Sequence, residues 1–146
     1  MACVQGHWMW TRCVVSQAIM DSFLPRNDEQ ILMLELLAVP LAYETFMEKV
    51  RGRYVTVFID NDAVLGALLH GSAGADDANM AIGQIWLDFA AAQIGFAGAR
   101  VESRANLADG PSRDYLDKVH ELQAAELAPC LPSWVDKLWG FPMATG

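Results

Sequence analysis

Positive charge is scarce in this chain. Ten lysines and arginines stand against eighteen aspartates and glutamates, a net charge of −8. That balance argues against broad, charge-driven nucleic-acid binding, although Arg100, Arg104 and Arg113 form a local exception. Cysteine is scarce too. Cys3, Cys13 and Cys130 are odd in number and widely spaced, which excludes a disulfide framework and a CxxC zinc pair. They suit a reducing compartment, each as a small buried hydrophobe. His7, His70 and His120 show no HxxxH or other ligand spacing. The GxGxxG, GxxxxGK[ST] and G-x-S-x-G patterns are all missing, which removes the usual nucleotide-binding and serine-hydrolase signatures. Glu35 and Pro40 interrupt the longest apolar run, so no membrane span is expected, and the N-terminus lacks the basic-then-apolar order of a signal peptide. The expectation is a soluble, intracellular protein, cytoplasmic or nuclear and not secreted, with no membrane partner.

What remains is a chain rich in apolar residues, 53% hydrophobic and 146 residues long, enough for one folded domain with a real core. Its pattern predicts short strands at residues 2–4 and 8–17. A buried helix follows at 29–50, with Asn27 or Asp28 as N-cap and Pro40 as a source of a kink. A strand follows at 54–60, then helices at 63–69 and 76–94, with Met80, Ile85, Trp86 and Phe89 as core contacts. A short strand at 99–103 and a helix at 114–127 complete the body. The order predicts an α/β fold with a mixed sheet spanning residues 1–127. Residues 128–146 hold three prolines and two tryptophans, Trp134 and Trp139, and read as a separate tail.

The stretch Tyr54-Val-Thr-Val-Phe-Ile-Asp60-Asn-Asp62 is the most telling segment. Its β-branched and aromatic residues make a buried strand, and it stops on an acid. A carboxylate at the carboxyl end of such a strand lies where open α/β sheets place ligands and metals. Glu35, the one charge in an apolar run, and Asp109, in the turn-rich Ala108-Asp-Gly-Pro-Ser-Arg113, are the other oddly placed acids. Three acids from three separate elements suggest a divalent-metal site. Each also has an ordinary reading. Glu35 can pair with an arginine, Asp60 can cap the helix that follows, and Asp109 can be a turn residue. Capping is assigned here to Asp62 and metal binding to Asp60, with Asn61 open to either role. Asp76 and Asp77 are accounted for by a helix dipole.

Three segments, taken in order, resemble the ribonuclease H family, and more narrowly the ribonuclease H-like domains of retrotransposon reverse transcriptases. They are Leu34-Glu-Leu-Leu-Ala-Val39, Arg51-Gly-Arg-Tyr-Val-Thr-Val-Phe-Ile-Asp-Asn-Asp-Ala63 and Asn106-Leu-Ala-Asp-Gly-Pro-Ser-Arg113. The likeness covers roughly residues 1–115. It implies a five-stranded mixed sheet flanked by helices. It also implies two-metal hydrolysis of the RNA strand of RNA–DNA hybrids with Mg2+ or Mn2+. Glu35, Asp60 and Asp109 match three of the family's four metal-binding carboxylates. Asn61, Arg104, Asn106 and Arg113 are the candidates for nucleic-acid contact, by backbone and 2′-hydroxyl rather than base edges. The rest of a reverse transcriptase polyprotein would be the natural partner.

Two departures follow. The family's first strand and the metal-binding aspartate on it have no counterpart, since no acid precedes Asp21 and residues 2–17 match the second and third strands. The domain therefore reads as incomplete at its N-terminus, and its catalysis as weakened or lost. The segment before Asp109 also lacks the histidine common in the family. Two other readings compete. One is a non-catalytic nucleic-acid or protein binding module, with Trp134 and Trp139 as its contact surface. The other is a phosphotransferase of the haloacid dehalogenase kind, with Asp60 as nucleophile of a D-x-D motif, for which Lys118 and Lys137 are the only later lysines.

Overall fold

The computed structural model describes residues 1–15, 17–25, 27 and 30–135. Within them the chain is a mixed α/β protein whose elements share one core.

A hairpin opens it. β1 (Ala2–Val4) and β2 (His7–Trp10) pair antiparallel, with Val4 opposite His7. The two residues between them, Gln5 and Gly6, have φ of 51° and 80°. Two positive φ angles give a turn whose twist matches the strands it joins, and glycine adopts the second at no steric cost. The second strand stops at Trp10 rather than running to residue 17, and α1 (Gln17–Ser22) begins where that strand was expected to end.

α2 (Ile31–Thr45) is apolar nearly all round and buries Met33, Leu36, Leu37, Val39 and Tyr43. Such a helix must lie inside the molecule. The single helix expected over 29–50 is two: α2 ends at Thr45, and α3 (Met47–Val50) follows after a break at Phe46. Pro40 lies in the helix interior and is buried, so the break comes six residues after it. The N-cap is Gln30, with φ of 68°, not Asn27. Asp28 lies outside the described residues.

β3 (Tyr54–Ile59) runs parallel to β4 (Gly95–Arg100), in register from Tyr54 opposite Gly95 to Ile59 opposite Arg100. Parallel neighbours need a long crossover, and α4 (Asp62–His70) and α5 (Asp76–Ala91) supply it. β4 begins four residues before the expected strand, because α5 ends at Ala91 and Ile94 must turn into the core. Met80 and Trp86 were expected in that core, but Met80 is exposed and Trp86 lies at the boundary, while Ile85 and Phe89 are buried. Trp86 still packs edge-on against Phe89 and Phe96 and donates its indole N–H to the Leu68 carbonyl at 3.0 Å.

The chain then makes a 3-10 turn at Ser103–Ala105 and two short helices, α6 (Asp109–Ser112) and α7 (Asp117–Glu121). The expected helix over 114–127 is thus cut to five residues. Gln123 takes φ of 51°, and β5 (Ala125–Glu126) follows, parallel to β2. Tertiary pairing overrides helix propensity here. Leu127 N–H donates to Trp10 O at 2.9 Å and Thr11 Oγ1 to Leu127 O at 2.8 Å.

Among the described residues the strands form two sheets, β1-β2-β5 and β3-β4, with no hydrogen bonds between them. Both pack on the core built by α2, α4 and α5. The three cysteines, expected to be buried, are all exposed. No helix among the described residues is long and apolar enough to cross a membrane.

Candidate metal centre

The carboxyl end of β3 carries Asp60, and the next residue, Asn61, starts α4. Asn61 Oδ1 accepts from the N–H groups of Ala63 at 2.9 Å and Val64 at 3.1 Å. These are two of the four donors that a helix start leaves unsatisfied. Asn61 is therefore the cap, not Asp62 as its sequence position suggested. Asp62 turns outward to a salt bridge with Arg100 Nε at 2.7 Å, which ties the start of α4 to the end of β4. Gly71 closes the same helix with φ of 74°, donating to the Ala67 carbonyl.

Glu35 reaches this corner from α2. Burial pushes its carboxyl group above the ordinary glutamate range, and the negative charge of Asp60 pushes it the same way. A side-chain hydrogen bond from Asn61 pulls it back. With Asn61 Oδ1 committed to the helix, its amide nitrogen is the group left to face Glu35. Glu35 Oε2 is nonetheless enclosed and accepts no hydrogen bond. A buried carboxylate oxygen with no donor is an unfavourable arrangement unless a proton or a cation comes to it. The helix and the strand thus bring two of the three expected acids together around one amide.

Asp109 is held elsewhere, in α6, where Arg113 Nε contacts its Oδ1 at 3.2 Å. Among the described residues no group of three or more histidine, cysteine, aspartate or glutamate side chains is arranged to hold a metal ion. The expected nucleic-acid contacts divide in the same way. Asn61 is used by the α4 cap, and Asn106 Oδ1 accepts from Ala108 N–H at 3.0 Å, a local turn. Arg113 faces Asp109, and Arg104 is exposed with no ion pair among the described residues. Lys118 pairs with Glu121 at 2.9 Å, and Lys137 lies outside the described residues, as does Trp139.

A cleft of about 610 Å3 opens nearby between α2, α4 and α5, with Asp62, His70 and Ser72 as its polar edge. Glu35 and Asp60 do not line it. A second polar cluster, not expected from the residue pattern, lies around Asp88. Asp88 Oδ2 accepts from Tyr43 Oη at 2.5 Å and from Trp134 Nε1 at 2.7 Å. Burial and the Asp88 charge drive the Tyr43 hydroxyl far above its ordinary pKa, so it stays a donor. The available signal was the pair of amphipathic aromatics, since a buried Tyr O–H or Trp N–H needs an acceptor.

Comparison with protein-family models, curated proteins and solved structures finds no match to this chain.

Proposed function

We propose that this chain is a ribonuclease H-like domain of retroelement origin that engages RNA–DNA hybrids and takes up a divalent cation, Mg2+ or Mn2+, at Glu35 and Asp60. The observation that carries the reading is the enclosed, unpartnered Oε2 of Glu35 beside a second carboxylate at the end of a strand. Those two acids suit a hard cation, which takes carboxylate oxygens. When bound, the cation supplies a Lewis acid for a phosphoryl oxygen and a lowered pKa for its water. The chain itself holds the pair in place. Asn61 fixes the start of α4 and steadies Glu35, and Arg100 draws the neighbouring Asp62 away from the pair. Of the expected nucleic-acid contacts, Arg104, exposed and unpaired among the described residues, is the cation left to meet a phosphate.

Asp109 bears on how much chemistry is left. Paired with Arg113, it adds nothing to the Glu35–Asp60 pair, and hydrolysis by two metals asks for more ligands than two. This favours a second reading within the same family, a domain that binds hybrid without cutting it. The deciding experiment follows hybrid cleavage and hybrid binding in a Mg2+ and Mn2+ series, with Glu35→Gln, Asp60→Asn and Arg104→Ala beside the unaltered chain. Cation-dependent cleavage that Asp60→Asn abolishes supports the nuclease. Binding without cleavage, weakened by Arg104→Ala, supports the module. A chain that neither binds hybrid nor shifts its melting temperature with either cation is no ribonuclease H-like domain of either kind.

A further inference from the structure

The two faces of the β3–β4 sheet differ. Val55, Val57, Ile59 and Phe96 pack on the core. Side chains alternate along a strand, so Tyr54, Thr56 and Phe58 stand on the other face, where all three are exposed. Tyr54 is 94% and Phe58 63% in solvent. Their in-register neighbours on β4 are Gly95, Ala97 and Ala99, none with more than a methyl group for a side chain. A Cβ on Gly95 would come within 2.6 Å of the Tyr54 ring, so that ring leans over bare backbone. One exposed aromatic is ordinary, but two on one face, over a floor of small residues, make a flat apolar surface. The two rings spring from positions about 13 Å apart along the strand. The approach to this face is basic. Lys49, Arg51 and Arg53 are three of the chain's ten lysines and arginines, and all are exposed. None makes an ion pair among the described residues. Gly52 N–H donates to Ala92 O at 3.0 Å and Gly95 N–H to Arg53 O at 2.9 Å, which fixes their turn against the start of the sheet.

We infer that this face binds single-stranded nucleic acid, with unpaired bases stacked on Tyr54 and Phe58 and phosphates beside Lys49, Arg51 and Arg53. Every base has a π-face, and an uncovered aromatic ring offers the surface that matches it. Only an unpaired base can use that surface, because a duplex keeps its base faces stacked inside. The small residues of β4 leave room for a base to lie flat beside each ring. The three cations supply locally the positive charge that the whole chain, at −8, lacks. Stacking together with unpaired cations favours a strand of nucleotides over an apolar protein segment, which has no use for the charge. The inference goes beyond the cation reading and is independent of it. None of its residues belongs to the Glu35–Asp60 corner, and stacking needs no divalent ion.

Fluorescence anisotropy of the full chain in EDTA tests it, with labelled oligo-dT and oligo-U of about ten nucleotides, a length within the range of one single-strand site. Binding of either supports the inference, and the tighter of the two tells DNA from RNA as the source. An abasic oligonucleotide of equal length and charge should bind about tenfold more weakly. Tyr54→Ala and Phe58→Ala should each cost about tenfold, within the range for loss of one stacked base, while Tyr54→Phe keeps the affinity. Both side chains are exposed, so the melting temperatures should stay that of the unaltered chain. Three phosphate contacts give a slope of about −2 in log K against log salt, and Arg51→Gln with Arg53→Gln should flatten it to about −0.7. A chain that binds neither oligonucleotide overturns the inference. So does equal binding of the abasic strand, or a Tyr54→Ala, Phe58→Ala double variant that binds as the unaltered chain does, because charge alone would then hold the strand. With no divalent cation present, either failure leaves the Glu35–Asp60 reading to its own experiment.

Discussion

A carboxyl group that faces a second carboxylate, and whose Oε2 accepts no hydrogen bond, keeps its proton to higher pH than a free glutamate. Glu35 is such a group, raised first by burial and then by Asp60. The direction fixes the pH dependence. Because the folded-state pKa lies above the unfolded one, the native state binds the proton more tightly. The associated stability is complete below the ordinary glutamate range and is lost as pH rises through the raised value. Glu35→Gln should remove that loss. Its unfolding free energy should exceed that of the unaltered chain at pH 7 to 8, by up to about 1 kcal/mol given that the residue is only half-buried, and the gain should fade toward pH 4. Thermal scans across pH measure it, and a variant less stable at every pH would show that Oε2 of Glu35 has a donor after all. Saturating Mg2+ acts oppositely, stabilising the chain with Glu35 and not the variant. At one hundred times the dissociation constant the gain is about 2.7 kcal/mol.

Glycine spacing at the element scale decides how closely α4 lies on its sheet. A Cβ on Gly98 would come within 2.7 Å of Leu65 Cδ1 and 3.2 Å of Phe96, side chains packed on the core. A Cβ on Gly95 would come within 2.6 Å of the Tyr54 ring, but that ring is nearly all in solvent and can swing away. Gly98→Ala should therefore cost about 1–3 kcal/mol by overpacking, and Gly95→Ala much less. Urea midpoints for the two variants test the order, and equal losses would mean that Leu65 yields as readily as Tyr54. Neither contact is visible in the chain's pattern, which records period and turn chemistry but not which neighbour lies overhead. The pattern does mark β3, α4 and α5, because β-branched runs, an Asx cap and acidic first turns are local signals. It misses α1, the break at Phe46 and the short α7, where distant pairing decides. The β2–β5 ladder, for example, joins Met9 to Ala125.

The same division governs the whole molecule. Glu35 stood out as the one charge inside an apolar run and Asp60 as the acid that ends a strand, and the fold brings them together. Asp109 stood out only as an acid in a turn-rich segment, a case that depended on the other two, and a neighbour four residues along, Arg113, takes its charge. The Asp88 cluster gave no such local sign, since its members come from residues 43, 88 and 134 and meet only once α2, α5 and the final segment have packed. That cluster holds the last described stretch against the body, with Cys130 N–H donating to Thr45 Oγ1 at 2.9 Å and Val135 fully buried. Asp88→Ala would leave the enclosed hydroxyl of Tyr43 and the indole N–H of Trp134 without their acceptor, each loss worth about 1–3 kcal/mol. We expect a drop of about 2–4 kcal/mol in unfolding free energy, with protease cleavage appearing between residues 128 and 135 before the core opens. Tyr43→Phe should recover part of the loss in the Asp88→Ala background while costing stability on its own, because it removes a stranded donor in one case and a satisfied one in the other. A double-mutant cycle that sums to zero would mean that Asp88 and Tyr43 act independently, and that packing of Val135 and Leu131 alone keeps the segment in place.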